Sequence, residues 1–154
     1  RFYQKVDTEH IGISGHSQGG VGVFNAISEQ PHSSLYTCAV SLSPTQQDWS
    51  EVLKIPYDPT KTQIPTMVLA GVENDVITPE GAQKLYDAID ARKVLALHTN
   101  VDHGKMLYSA DGYVTAWFMW LLKGDAEAAK VFTGDAPELL SNPLYQEQQI
   151  DMAA

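Results

Sequence analysis

Residues 11–20, which read IGISGHSQGG, guide the interpretation of the whole chain. An apolar run rich in β-branched residues leads into a glycine-containing turn, and Val21–Ser28 has the composition of a helix. A serine at the tip of such a strand-to-helix turn is typical of a nucleophile elbow. We expect Gly15 and Gly19 to keep side chains out of the crowded turn. Ser17 is therefore the candidate nucleophile, and an ordinary glycine-rich turn is the alternative.

The composition is that of one globular domain. The chain has 154 residues, 44% of them hydrophobic, which is enough for one core of ordinary size. Its net charge of −9 argues against nucleic acid and anionic lipid as partners, because like charges repel. No apolar run is long enough to span a bilayer, and no signal-peptide pattern is present. We predict a single domain over residues 1–154.

The single cysteine, Cys38, cannot form an internal disulfide. It lies in the apolar run CAVSL, residues 38–42, where a buried strand residue is the simplest interpretation. The chain begins with Arg1 rather than methionine, which is compatible with the earlier removal of a signal peptide. We expect a soluble protein that is either cytoplasmic or secreted.

Short apolar strands alternate with helices along the chain. Strands are predicted at residues 10–14, 38–42, 66–70 and 94–97, and helices at residues 18–30 and 79–91. This alternation predicts an α/β fold, with a parallel sheet of about four strands and helices on both faces. Reactive groups then belong at the carboxyl ends of the strands.

The C-terminal part of the chain is predicted to be mainly helical. Residues 113–122 are apolar on nearly every face, which is typical of a buried helix, and an aromatic cofactor site is the alternative. Gly124 should end this helix, and Asp125 should cap a short second one that runs through Phe132. Residues 136–154 are interpreted as an acidic tail with one further helical turn.

A serine nucleophile needs a base to take its proton and an acid to orient that base. The loop GVENDVITP, residues 71–79, follows the third predicted strand, and TNVDHG, residues 99–104, follows the fourth. These loops supply Asp75 as the candidate acid and His103 as the candidate base.

The other histidines are less suited to act as the base. His16 adjoins the nucleophile, but its place in the turn points its side chain away from the serine hydroxyl, so we expect it to pack under the elbow. His98 is the serious competitor, yet it ends a strand. His103 lies on the loop beyond, from which a side chain can more easily reach the end of a neighbouring strand. His10 and His32 are expected to face solvent.

Two other carboxylates compete with Asp75 for the role of the acid. Asp75 is preferred over Glu73, because its position just ahead of the predicted helix start suits a short carboxylate. Asp102 adjoins His103 and cannot easily face its ring nitrogen. We expect Asp102 to be a loop or helix-capping residue.

Four apolar residues near strand ends are candidates to line a substrate pocket: Trp49, Val76, Ile77 and Met106. A place in the core suits each of them equally well. No cysteine–histidine cluster has the spacing of a metal site, and a serine mechanism needs no metal or organic cofactor.

Three motifs together resemble the C-terminal half of an α/β-hydrolase. Within that superfamily the chain is similar to the dienelactone-hydrolase, chlorophyllase and cutinase-like polyester-hydrolase relatives of bacteria. A further stretch after the tryptophan-rich helix resembles bacterial serine esterases of this group, and the resemblance covers residues 7–143. The motifs are GHSQGG at 15–20, GVENDVITP at 71–79 and VDHGKM at 101–106, and the further stretch is GDAEAAKVFTG at 124–134.

This resemblance implies a serine esterase that cleaves carboxylic esters through an acyl-enzyme intermediate. It implies Ser17 as nucleophile, Asp75 as acid and His103 as base, in the chain order of the superfamily. It also implies that the backbone N–H of Gln18 is one donor of the oxyanion hole. The substrate is then a small-molecule or polymeric ester.

The superfamily has further strands before its elbow, and the second oxyanion donor comes from that region. We therefore expect this chain to be part of a longer enzyme, completed by an N-terminal segment or by a swapped partner chain. A non-catalytic fragment or scaffold module is the competing hypothesis. Among enzymes, a polyester depolymerase or a peptidase with the same three residues is the alternative.

Overall fold

A five-stranded sheet runs through the computed structural model, which describes residues 3–28 and 30–153. The strands are β1 (Ile11–His16), β2 (Tyr36–Leu42), β3 (Thr66–Glu73), β4 (Lys93–Asp102) and β5 (Tyr145–Asp151). The α-helices are α1 (Gln18–Ser28), α2 (Gln47–Val52), α3 (Pro79–Ala88), α4 (His103–Ser109), α5 (Asp111–Lys123), α6 (Ala126–Ala129) and α7 (Glu138–Ser141). Two short 3-10 helices span Ser33–Leu35 and Pro59–Lys61. Residues 1, 2, 29 and 154, which the predicted domain includes, lie outside the described residues.

The strands lie in the order β1-β2-β3-β4-β5, and the first four are parallel. The predicted α/β fold with about four parallel strands is therefore confirmed. Because parallel strands point the same way, the carboxyl ends of β1 to β4 share one edge of the sheet. The elbow, the loops after β2 and β3 and the start of α4 all meet at this edge.

The interpretation of residues 136–154 as a tail is wrong for most of its length. The predicted helical turn is observed as α7, but the chain then forms β5, which pairs antiparallel with β4. The register shifts between Leu95 and Leu97, and Glu147 has a φ of 52°. Such a bulge breaks the two-residue alternation by which a strand is recognised in a sequence, and position 154 of the predicted tail is not described.

The two largest apolar cores of the described residues cover the two faces of the sheet. One contains Trp117 and Phe132, and the other contains Phe24 and Leu85; all four side chains are at most 1% exposed. Cys38 is fully buried in β2, as predicted, and this burial raises the pKa of its thiol to about 11.

The helix predicted to be buried on all sides is α5, and it is buried on one side only. Tyr113 and Trp117 face the core, whereas Met119 is 41% exposed. Gly124 ends α5 with a φ of 67°, as expected, and the Asp125 carboxylate accepts hydrogen bonds from the first turn of α6. α6 ends at Ala129, short of its predicted end. No helix among residues 3–28 and 30–153 is long and apolar enough to cross a membrane.

The central strand β3 provides a test of this core. Leu69 is fully buried, so we expect Leu69→Ala to lower the free energy of unfolding by about 2–5 kcal/mol through lost burial and a cavity. Leu140, which is 47% exposed, provides the matched control. Leu140→Ala should change the free energy of unfolding by less than about 0.5 kcal/mol. Denaturant unfolding of both variants measures the difference, and equal losses would contradict this placement of β3.

Candidate active site

The elbow is a strained turn between β1 and α1. Ser17 has a φ of 61°, in the left-handed region that non-glycine residues rarely adopt. Its backbone is held in place by two hydrogen bonds. The Ser17 N–H donates to the Leu42 carbonyl at 3.0 Å, and the Val21 N–H donates to the Ser17 carbonyl at 3.2 Å. A strained serine fixed by its neighbours is the conformation expected of a nucleophile elbow.

The two glycines around Ser17 have different roles. A Cβ atom on Gly15 would lie 2.1 Å from the Gly19 carbonyl oxygen, so only glycine fits there. A Cβ atom on Gly19 would meet no described atom within 4 Å apart from its chain neighbours and the nearby backbone of α1. The prediction that both glycines keep side chains out of the turn is therefore right for Gly15 and wrong for Gly19.

The structure brings Ser17, His103 and Asp75 together. Ser17 Oγ lies 3.0 Å from His103 Nε2, and His103 Nδ1 lies 2.9 Å from Asp75 Oδ1. The carboxylate can only accept, so His103 Nδ1 carries the hydrogen in this pair and Nε2 of the neutral ring accepts from the serine hydroxyl. The Asp75 side chain is 1% exposed and the His103 side chain 24%, so the carboxylate is buried while the imidazole borders solvent.

Asp75 is surrounded by hydrogen-bond donors. Its Oδ2 accepts from the Gly71 N–H at 2.8 Å and from the Ser43 hydroxyl at 2.5 Å, and its Oδ1 accepts from the Val76 N–H at 2.6 Å. A buried carboxylate stays charged only where such donors compensate for lost hydration. The sequence analysis missed Ser43, a fully buried residue just after β2 with a φ of 40°. The loop that contains Ser43 carries no recognisable motif, so nothing in the neighbouring sequence could predict the contact between Ser43 and Asp75.

A second set of hydrogen bonds anchors the loop after Asp75. The Gln46 N–H donates to the Val76 carbonyl at 3.0 Å, and Gln46 Oε1 accepts from both the N–H and the hydroxyl of Thr78. Thr78 in turn caps α3 through the Gly81 N–H. The loop after β2 therefore holds the acid and the start of α3 together.

The competing side chains lie elsewhere. Asp102 is the N-cap of α4, as expected, and its pKa is lowered chiefly by the hydrogen bond that it accepts from the Lys105 N–H. Glu73 is exposed at the end of β3. The His98 ring donates from Nδ1 to the Thr99 carbonyl and packs against Tyr145, away from the three residues described above.

His16 does not pack under the elbow as expected. Its ring stacks on the His103 ring, with centroids 4.5 Å apart and planes at 29°. Its Nε2 lies 2.8 Å from the His103 carbonyl oxygen and donates a hydrogen bond to it. The identity of residue 16 carried no signal for this contact, because its partner is 87 residues away in the sequence.

The four candidate pocket residues are dispersed. Trp49 is 45% exposed on α2, and Val76 is half-buried in the loop after Asp75. Ile77 and Met106 are at most 2% exposed and lie in the two cores, on opposite faces of the sheet. Ile77 and Met106 therefore present no surface to a substrate, because neighbouring side chains cover them.

Gln18 is the first residue of α1 and directly follows Ser17. The N–H groups of a first helical turn have no partner within the helix, which leaves that of Gln18 free of intrahelical bonding.

Among residues 3–28 and 30–153, no group of three or more His, Cys, Asp or Glu side chains could hold a metal ion. In chemical terms, the site can transfer a proton from a serine hydroxyl to an imidazole whose other nitrogen is held by a carboxylate.

Comparison with solved structures identifies the architecture. An acylaminoacyl peptidase from Pyrococcus horikoshii superimposes with a TM-score of 0.68 and 14% identity over 90% of this chain and 27% of its own. A puromycin hydrolase mutant complexed with PGG superimposes with a TM-score of 0.62 and 13% identity over 79% of this chain and 23% of its own. The fold is that of part of an α/β-hydrolase domain.

The chain spans about a quarter of the length of these structures. They bear on the fold expected from the motifs, and not on the dienelactone-hydrolase, chlorophyllase or cutinase-like relatives named there. No protein-family model and no curated protein matches the sequence.

The glycine contacts generate a paired test of the elbow. Gly15→Ala forces its Cβ against the Gly19 backbone, and we expect it to lower the free energy of unfolding by about 3 kcal/mol. Gly19→Ala places the same methyl group in open space within α1, where alanine favours the helix, so stability should be unchanged or rise by up to about 1 kcal/mol. Denaturant unfolding measures both, and equal stability of the two variants would contradict the observed turn.

Proposed function

We propose that the protein is a serine hydrolase that cleaves carboxylic esters through an acyl-enzyme intermediate. Ser17 is the nucleophile, His103 the base and Asp75 the residue that orients the base. The observation that carries this proposal is the continuous hydrogen-bonded series from Ser17 Oγ through both ring nitrogens of His103 to the buried Asp75 carboxylate.

In the first step Ser17 Oγ attacks the ester carbonyl carbon while its proton passes to His103 Nε2. The ring becomes a cation, which the negative charge of Asp75 stabilises at 2.9 Å from Nδ1. Asp75 also accepts hydrogen bonds from the N–H groups of Gly71 and Val76 and from the Ser43 hydroxyl, and these donors hold the carboxylate in place.

The carbonyl oxygen becomes an oxyanion that needs hydrogen-bond donors. We assign one of them to the backbone N–H of Gln18 and the second to a segment outside this chain. His103 then gives its proton to the leaving alcohol. A water molecule that gives a proton to His103 then attacks the acyl-enzyme. This step releases the carboxylic acid product, and the proton returns to Ser17 Oγ.

A peptidase is the second candidate function. The structures similar to this chain include acylaminoacyl peptidases, one of them in complex with a peptidyl chloromethyl ketone. The same residues serve an amide, since His103 can protonate a leaving amine as it does an alcohol. A polyester depolymerase differs only in the size of the acyl and alcohol groups.

Replacement of the nucleophile tests the reaction class. We expect Ser17→Ala and His103→Ala in the full-length protein to lower kcat/KM for a short p-nitrophenyl ester by about 10³-fold or more. Ser34, an exposed serine, provides the control variant Ser34→Ala, which should retain activity. A fluorophosphonate probe should label the unmodified protein and Ser34→Ala but not Ser17→Ala. Absence of labelling in the unmodified protein would favour a non-catalytic module.

The same assay separates the two substrate classes. kcat/KM is measured for a p-nitrophenyl ester and for a peptidyl p-nitroanilide in parallel. An esterase should hydrolyse the p-nitrophenyl ester efficiently and the anilide hardly at all. Efficient hydrolysis of the anilide would contradict the esterase proposal and favour a peptidase.

We further propose that the free edge of β1 pairs with a strand from an N-terminal segment of a longer protein or from a swapped partner chain. β1 has β2 as its one strand neighbour in the part of the chain that the structure describes. The apolar residues Ile11 and Ile13, and Gly12 between them, are only partly buried in β1. A bare apolar edge is a site for further pairing.

Hydrogen exchange tests this pairing. In a strand with one neighbour, only about half of the amides are hydrogen-bonded. We expect the amides of β1 that point away from β2 to exchange as slowly as those of the central strand β3 in the full-length protein. Fast exchange of these outward amides would contradict a covering strand, and size-exclusion chromatography would distinguish a longer monomer from a swapped dimer.

A further inference from the structure

His16 contacts the proposed base in two independent ways. Its ring lies over the His103 ring at a centroid distance of 4.5 Å, and its Nε2–H donates to the His103 carbonyl at 2.8 Å. A carbonyl oxygen can only accept, so this hydrogen bond fixes the proton of His16 on Nε2. One side chain therefore holds both the backbone and the ring of residue 103.

These contacts complete the restraint on His103. Asp75 holds the ring edge through Nδ1, and Asp102 caps the helix that begins at His103. Neither contact sets the tilt of the imidazole plane about the line that joins it to Asp75. The stacked His16 ring supplies that restraint, because any such rotation must separate the two ring faces.

We propose that His16 is a positioning residue for the base, and that its ring also stabilises the imidazolium that forms when His103 takes the proton of Ser17. This inference rests on the proposed function. When the Ser17 Oγ–H bond breaks and the His103 Nε2–H bond forms, a positive charge appears on the ring beside His16. The face of a neutral aromatic ring attracts a cation within about 6 Å of its centre.

The attraction is greater in the transition state, where the His103 ring carries the proton taken from Ser17, than in the resting enzyme, where that proton is still on Ser17. Only an interaction that strengthens in the transition state raises kcat. His16 should therefore affect kcat, and KM should depend little on it. A residue that merely fills space would affect the stability of the fold instead.

Three substitutions separate the two contacts. His16→Phe retains an aromatic face but loses the donor to the His103 carbonyl. His16→Gln retains an N–H donor but loses the ring, and His16→Leu loses both. The matched control is His32→Leu, which removes a histidine from an exposed loop.

The experiment uses the full-length protein and a p-nitrophenyl ester, with kcat, KM and the melting temperature measured for every variant. We expect His16→Leu to lower kcat by about 10- to 100-fold at nearly constant KM, and His16→Phe and His16→Gln to recover part of that loss. The low-field proton resonance of His103 Nδ1 reports the bond to Asp75. It should broaden in His16→Leu and sharpen again in His16→Phe.

The outcomes distinguish this inference from the proposed function. If the unmodified protein hydrolyses no ester or amide and binds no fluorophosphonate, the proposed function is wrong. If it is active through Ser17 but His16→Phe, His16→Gln and His16→Leu all keep its kcat, the inference is overturned and the function stands. Should His16→Leu fail to fold, the other two variants decide, because each of them lacks one of the two contacts: an unchanged kcat in both His16→Phe and His16→Gln would overturn the inference.

Discussion

A buried carboxylate is the constraint around which the site is organised. The Asp75 side chain is 1% exposed, and an unpaired charge at that depth would be strongly unfavourable. Its oxygens accept from the end of β3, from the loop after β2, from the next residue of its own loop and from the His103 ring at the start of α4. Three stretches that are well separated in the sequence therefore meet at one side chain: the loop after β2, the end of β3 with the loop that follows it, and the start of α4.

The parallel sheet makes this meeting possible. Because β1 to β4 all point in one direction, the strained elbow, the two loops and α4 emerge from the same edge. Each element then contributes one restraint: the elbow presents Ser17, the loop after β2 anchors Asp75, and His16 at the end of β1 stacks on His103. Hydrogen bonds between the elements at this edge hold the arrangement.

Features with a local signal could be predicted from the sequence. The four parallel strands appear as short apolar runs, and Ser17, Asp75 and His103 all follow strand ends. The cap at Asp102 was predictable for the same reason. The predicted loop around His103 is wrong, because β4 runs on to Asp102 and His103 begins α4. β5 was not predicted because a bulge disrupts the alternation of its residues. Ile77 and Met106 lie in the cores rather than in a pocket, because a position near a strand end does not determine whether a side chain points into the core or toward solvent.

The sequence by itself determined the fold class and the order of the candidate nucleophile, acid and base, because periodicity and turn chemistry are properties of neighbouring residues. Only the tertiary structure decided that Ser43 donates to Asp75, that Gln46 anchors the acid loop and that His16 stacks on His103. Each of these contacts joins residues more than thirty positions apart. Such pairings exist only once the sheet has brought its strand ends together, so no local pattern records them.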